Sequence, residues 1–133
     1  MARIIIAEDD QGVNPLVKEA LTEAYRGRHA VEAYWNTKDA YEAFGDGSGV
    51  ACVVSDNACP DRNDGYRMLM MIKRSHTKVG AVLMTGGDSD TTQQNIDTLK
   101  AVGIGFRRKP FEDIDDLVAI VDEKIREYES KKP

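Results

Sequence analysis

The sequence predicts an α/β fold built on a doubly wound, five-stranded parallel sheet. Two observations carry this. Apolar runs alternate strictly with segments of helical periodicity, the pattern of strands joined by crossover helices. The runs are also continuous, as strands covered on both faces require. Five such units fill 133 residues, so one domain spanning 1–133 is expected, large enough to bury a core without staples.

Ile4-Ile5-Ile6-Ala7 is the first run, rich in β-branched residues. Leu16, Val17, Ala20, Leu21 and Ala24 then recur at helical spacing, with Asn14-Pro15 expected as cap and first residue. Ala30 to Tyr34 is a weaker strand. Thr37 is expected to cap a helix carrying Ala40, Ala43 and Phe44, and the glycine-rich stretch 45–49 reads as a loop. Val50 to Val54 is the second strong strand. A helix through Met68, Leu69 and Ile72 follows, then the strand Ala81 to Met84. Ile96, Leu99 and Val102 share a helical face, with Asp88 and Asp90 expected to cap that helix. Gly103 to Phe106 is a short strand. The last helix is amphipathic through Ile114, Leu117, Val118, Val121, Ile125 and Tyr128.

Composition excludes several classes. Eighteen basic against 23 acidic residues give a net charge of −5, a poor basis for binding nucleic acid or an anionic membrane. The uncharged stretches fall far short of the ~18 apolar residues that a membrane span needs, and no signal peptide opens the chain. Cys52 and Cys59 with His29 and His76 match no zinc spacing. They read as two free thiols in a reducing cytoplasm.

Ligands of an open parallel sheet bind beyond the carboxyl ends of its strands. Glu8, Asp9 and Asp10 follow the first strand, Asp56 the third, Thr85 the fourth and Lys109 the fifth. Each has a plain structural use, since acidic residues favour helix starts and a lone lysine is usually solvated. Their coincidence at one edge points to chemistry. Clustered carboxylates raise one another's pKa, and a hard divalent cation relieves the repulsion. One carboxylate can then act as nucleophile toward a phosphoryl group, with Mg²⁺ and the Lys109 ammonium neutralising charge and the Thr85 hydroxyl donating to a phosphoryl oxygen.

At these residues the chain resembles the response-regulator receiver domain, the CheY-like family of two-component signalling. The resemblance rests on Ile4-Ile5-Ile6-Ala7-Glu8-Asp9-Asp10, on Val53-Val54-Ser55-Asp56 with Pro60 and Asp64-Gly65 after it, on Leu83-Met84-Thr85-Gly86, and on Lys109-Pro110-Phe111. It implies the flavodoxin-like (βα)5 fold with strand order 2-1-3-4-5. It also implies Asp56 as phosphoacceptor, and Mg²⁺ held by Glu8, Asp9, Asp56 and the backbone carbonyl of Ala58. Thr85 and Lys109 would contact the phosphoryl group, Phe106 would be the aromatic switch, and the Lys109–Pro110 peptide would be cis.

The family's partners would be a sensor histidine kinase or phosphotransfer protein and an effector protein, met through the fourth helix, fifth strand and fifth helix. No direct DNA binding and no membrane contact are expected, because no reader motif follows the last helix. The implied role is signalling rather than enzymatic, with Mg²⁺-dependent self-phosphotransfer and autodephosphorylation the only chemistry, in the cytoplasm.

Three departures from the family pattern stand out. Pro60 falls four residues after Asp56 as usual, but Asp64-Gly65 comes one position late, so the loop Asp61-Arg62-Asn63 carries an extra residue. Cys59 replaces the common methionine. Gly105-Phe106-Arg107-Arg108 replaces the frequent Asp-Asp-Tyr form, leaving Arg107 and Arg108 as a basic spot that either meets an acidic protein surface or is simply solvated. A haloacid-dehalogenase-type phosphatase, suggested by Asp88-Ser89-Asp90-Thr91-Thr92, fails because Thr85-Gly86-Gly87 separates that motif from its strand. A calcium loop at Asp61 to Gly65 fails because its glycine comes one position early. The alternative of another class is a receiver-like interaction module that is not phosphorylated.

Overall fold

A computed structural model describes residues 1–86, 92–109 and 113–131. The order of elements is β1 (Ala2–Ala7), α1 (Val13–Ala24), β2 (His29–Tyr34), α2 (Thr37–Phe44), β3 (Val50–Asp56), α3 (Asp64–Ser75), β4 (Gly80–Thr85), α4 (Gln93–Ala101), β5 (Gly105–Arg108) and α5 (Ile114–Ser130). All strand pairs are parallel, in the order β2-β1-β3-β4-β5. The expected architecture and strand order are therefore observed. The first, third and fourth strands run a residue or two beyond their apolar runs, whereas the last, expected over Gly103 to Phe106, is displaced to Gly105–Arg108, because Gly103 lies in the turn after α4 and pairing with β4 begins at Gly105.

The sheet separates two cores. Ile4 and Ile6 pack with Val17 and Leu21 of α1, with Tyr25 just after it, and with Leu117, Val121 and Ile125 of α5. Ile5 and Ala7 face the opposite side, with Phe44 of α2, Leu69 and Ile72 of α3 and Leu99 of α4. Strict alternation inside a wholly apolar run is what a strand buried on both faces produces. Between β1 and β3 the register shifts at Arg3/Ile4, and Ala51 is the residue left over, as at a β-bulge. β2 is an edge strand and is only half buried. No described helix is long and apolar enough to cross a membrane.

Three expected caps are corrected. Helix α1 starts at Val13, ahead of Asn14-Pro15, and Asp10 Oδ1 accepts from the amides of Gly12 (2.7 Å) and Val13 (3.1 Å). Asn14 is inside the helix and buried, its side-chain amide donating to the carbonyls of Glu8 (2.9 Å) and Tyr34 (3.0 Å). Helix α2 is capped by Asn36, which accepts from the Asp39 amide at 2.7 Å, and not by Thr37. Helix α4 is capped by Thr92, which accepts from the Asn95 amide at 3.1 Å. Asp88 and Asp90 lie outside the described residues. In each case the residue with extended backbone or a side chain aimed at the open amides wins over a neighbour of suitable type.

Candidate functional site

The carboxyl ends of β1, β3, β4 and β5 meet at one edge. Glu8 follows β1 directly and is fully buried, held there by its amide donating to the Tyr34 carbonyl at 3.0 Å and by the Asn14 side chain beneath. Asp9 is exposed. Asp56 ends β3 with 4% of its surface accessible. One carboxylate oxygen from each of Glu8, Asp9 and Asp56 lies within 4.8 Å of the others, which makes this trio the cation-capable group among the described residues. Asp10, which precedes α1, serves that helix instead. Its two amide bonds hold its pKa below the ordinary range.

Lys109 closes the cluster from β5. Its Nζ lies 2.6 Å from Glu8 Oε1 and 3.0 Å from Asp56 Oδ1. Its own amide donates to the Thr85 carbonyl at 2.7 Å, so the end of β5 is tied to the end of β4. Burial disfavours the ammonium, but hydrogen bonds to Glu8 and Asp56 outweigh that and leave its pKa above normal. Asp56 moves the other way for a carboxyl group. Burial first, and then the nearby Glu8, push it up to about 7 despite Lys109. The edge is thus short of positive charge. An all-oxygen donor set with carboxylate repulsion left over suits a small hard cation.

Thr85 is fully buried, and its Oγ1 has no hydrogen-bond partner among the described residues. A buried hydroxyl without a partner costs roughly 1–3 kcal/mol, so its place beside the cluster calls for a function. Thr85 pairs with Arg108, and Leu83 with Phe106. Paired residues share a sheet face, so Thr85 and Phe106 stand on one face a single step apart. Phe106 is half buried, and the Arg108 guanidinium carbon lies 5.3 Å from its ring centroid. Arg107 donates to the Phe106 carbonyl at 2.8 Å. The two arginines therefore dress the aromatic ring and its strand, a use not anticipated from the sequence. Pro110 is outside the described residues, and with it the expected cis Lys109–Pro110 peptide. The described cis bond is Cys59–Pro60.

The sequence assigned Asn14 to a helix cap and gave no role to Asn57. Both are buried and both bind backbone at the site. An asparagine at the end of a fully buried strand, as in Val53-Val54-Ser55-Asp56-Asn57, was the available signal, since such an amide must find partners.

The family model described as "Response regulator receiver domain" matches residues 4–122. No curated protein matches the sequence. Among solved structures, the chain is similar to a response regulator receiver domain protein from Clostridium thermocellum, at 20% identity, covering 99% of this chain and 100% of that one, with a TM-score of 0.78. It is similar to a CheY-like receiver domain protein from Methanospirillum hungatei JF-1, at 21% identity, covering 99% of each chain, with a TM-score of 0.78. The signal receiver domain of a putative LuxO repressor protein from Vibrio parahaemolyticus matches at 18% identity, covering 98% of this chain and 94% of that one, also with a TM-score of 0.78. Identities this low establish a shared fold.

Proposed function

The chain belongs to the response regulator receiver domain family, and from that premise we propose that it takes a phosphoryl group on Asp56 and relays the change to a protein partner. One observation carries the reading: Lys109 bridges Glu8 and Asp56 with Asp9 beside them, so a single ammonium serves three carboxyl groups. Glu8, Asp9, Asp56 and the Ala58 carbonyl would hold Mg²⁺. When bound, the ion supplies the positive charge that the cluster lacks and offsets charge on the transferred group.

The residues divide the work by position. An oxygen of the Asp56 carboxylate bonds to phosphorus as the P–N bond of a phosphohistidine breaks, and the imidazole nitrogen departs with the bonding pair. Lys109 already touches Asp56 and neutralises phosphoryl oxygens without moving far. The Thr85 hydroxyl, buried and without a partner among the described residues, donates to a phosphoryl oxygen. That draws Thr85 toward the acceptor and frees room on the face it shares with Phe106. The ring then shifts between two packings, altering the surface of α4, β5 and α5 that an effector reads. Water attack on the acyl phosphate resets the site. The donor in this reading is a histidine kinase or phosphotransfer protein in the cytoplasm.

The test is loading with acetyl phosphate and Mg²⁺, read by intact mass. Wild type should gain one phosphoryl group that alkali removes, and Asp56→Asn should gain none. Label retained in Asp56→Asn would sink the acceptor assignment. A wild type that never loads would favour the unphosphorylated interaction module.

A further inference from the structure

The first turn of α3 is capped from outside the helix. Its N-cap residue, Asn63, has left-handed backbone (φ 68°, ψ 8°) and makes no side-chain cap bond. A capping side chain needs extended backbone at that position, so the helix lacks its ordinary cap. Asn57 takes over. Its carbonyl accepts from the Gly65 amide at 2.9 Å, and its Oδ1 accepts from the Tyr66 amide at 3.2 Å. Its Nδ2 donates to Asn63 Oδ1 at 3.2 Å, and its own amide donates to the Met84 carbonyl at 2.8 Å. The residue beside the acceptor is therefore bonded to β4, to α3 and to the loop between.

This arrangement also absorbs the extra loop residue. Asp61 and Asp64 close a tight ring, with the Asp61 amide on Asp64 Oδ2 at 2.9 Å and the Asp64 amide on the Asp61 carbonyl at 3.1 Å. Asn63 then turns through the left-handed region, which asparagine tolerates better than most residues, and its amide returns to Asn57. Two residues further along, the Cys59 carbonyl accepts from the Thr37 amide at 3.0 Å. Ala58 is thus held between two anchored neighbours.

We propose that Asn57, through its amide pair with Asn63, is a positioning residue that sets the Ala58 backbone for Mg²⁺ and links ion binding to the order of the first turn of α3. The proposal rests on the functional reading above. Partners one shell beyond the ligands typically govern metal affinity by 10–100-fold.

Calorimetric Mg²⁺ titration of Asn57→Ala, Asn63→Gly and the double variant tests it. Glycine keeps the left-handed backbone and removes only the amide, so Asn63→Gly carries the test even if Asn57→Ala folds poorly. Each single variant should bind Mg²⁺ about tenfold more weakly. The double variant should be no weaker than Asn57→Ala, because the two act as one unit. Hydrogen exchange at the Gly65 and Tyr66 amides should slow on adding Mg²⁺ to wild type and not to Asn57→Ala, which a purely structural role would not produce. Unchanged affinity in both single variants, with wild type binding normally, overturns this proposal alone. A wild type that binds no Mg²⁺ overturns it together with the functional reading.

Discussion

The Asp56 carboxyl is pushed up to about 7 although the Lys109 ammonium lies 3.0 Å from its Oδ1. Burial and Glu8 outweigh that contact. A folded-state value above the ordinary one means that the folded chain resists ionising this group. The associated stability is full below about pH 4 and is lost as pH rises toward 7. Asn at this position cannot ionise. In chelator, Asp56→Asn should match wild type near pH 4 and exceed it by about 2–4 kcal/mol at pH 8. Urea denaturation at both pH values checks this, and equal stability at pH 8 would contradict it.

Asp9 is the exposed member of the trio. It has little structural work, so Asp9→Ala should fold normally and lose Mg²⁺ affinity by about tenfold or more, the effect of removing a direct ligand rather than its support. Calorimetry is the appropriate readout. Trp35 is half exposed and sits where Cys59 Sγ donates to its carbonyl, so its fluorescence would report the loop and not the ion. Equal affinity in the variant would remove Asp9 from the site.

Thr85→Ala removes a buried hydroxyl that has no partner among the described residues, so it should not destabilise the free protein by more than about 1 kcal/mol. It should still load phosphate on Asp56. What it should lose is the ring response: Phe106 resonances that shift on loading in wild type should stay in place. Normal shifts in the variant would disconnect Thr85 from Phe106.

Gly65 is pressed against the end of β3. A Cβ there would meet the Asp56 carbonyl oxygen at 2.1 Å and Ser55 Oγ at 2.9 Å. The backbone of α3 cannot retreat without breaking its bonds to Asn57. Gly65→Ala should therefore cost about 3 kcal/mol or more, at the upper end for overpacking. A variant with wild-type denaturation midpoint would mean that α3 moves more freely than its hydrogen bonds imply.

The sheet was legible because Ile4 to Ala7, Val50 to Val54 and Ala81 to Met84 are apolar runs too short for helices and too continuous for one-sided strands. The alternating helical segments then fixed the parallel connections. Glu8, Asp9, Asp56, Thr85 and Lys109 were legible because strand ends in such a sheet converge, so position alone brought them together. The caps were not. Asn14-Pro15 has the chemistry of a helix start, yet Asp10 reaches the amides first and Asn14 is needed beneath Glu8. Asn57 was missed for a related reason. Its partners, Asn63, Gly65, Tyr66 and Met84, come together only after the loop and β4 are in place, and no periodicity records that.

The two thiols lie in separate halves of the molecule. Cys52 belongs to the core under α1 and α5, Cys59 to the one under α2, α3 and α4, and both are sealed from solvent. Burial pushes each up to about 12, so at neutral pH neither offers the thiolate that alkylating and oxidising reagents require. The sheet between them rules out an internal bridge. Modification must wait for the chain to open, and each sulfur then times the opening of a different layer. A pulse of alkylating reagent, with the two sites read separately by mass, turns a pair of inert side chains into two clocks. If both run at the rate of global unfolding the layers part together, and if Cys59 runs faster the half carrying the loop after β3 breathes on its own.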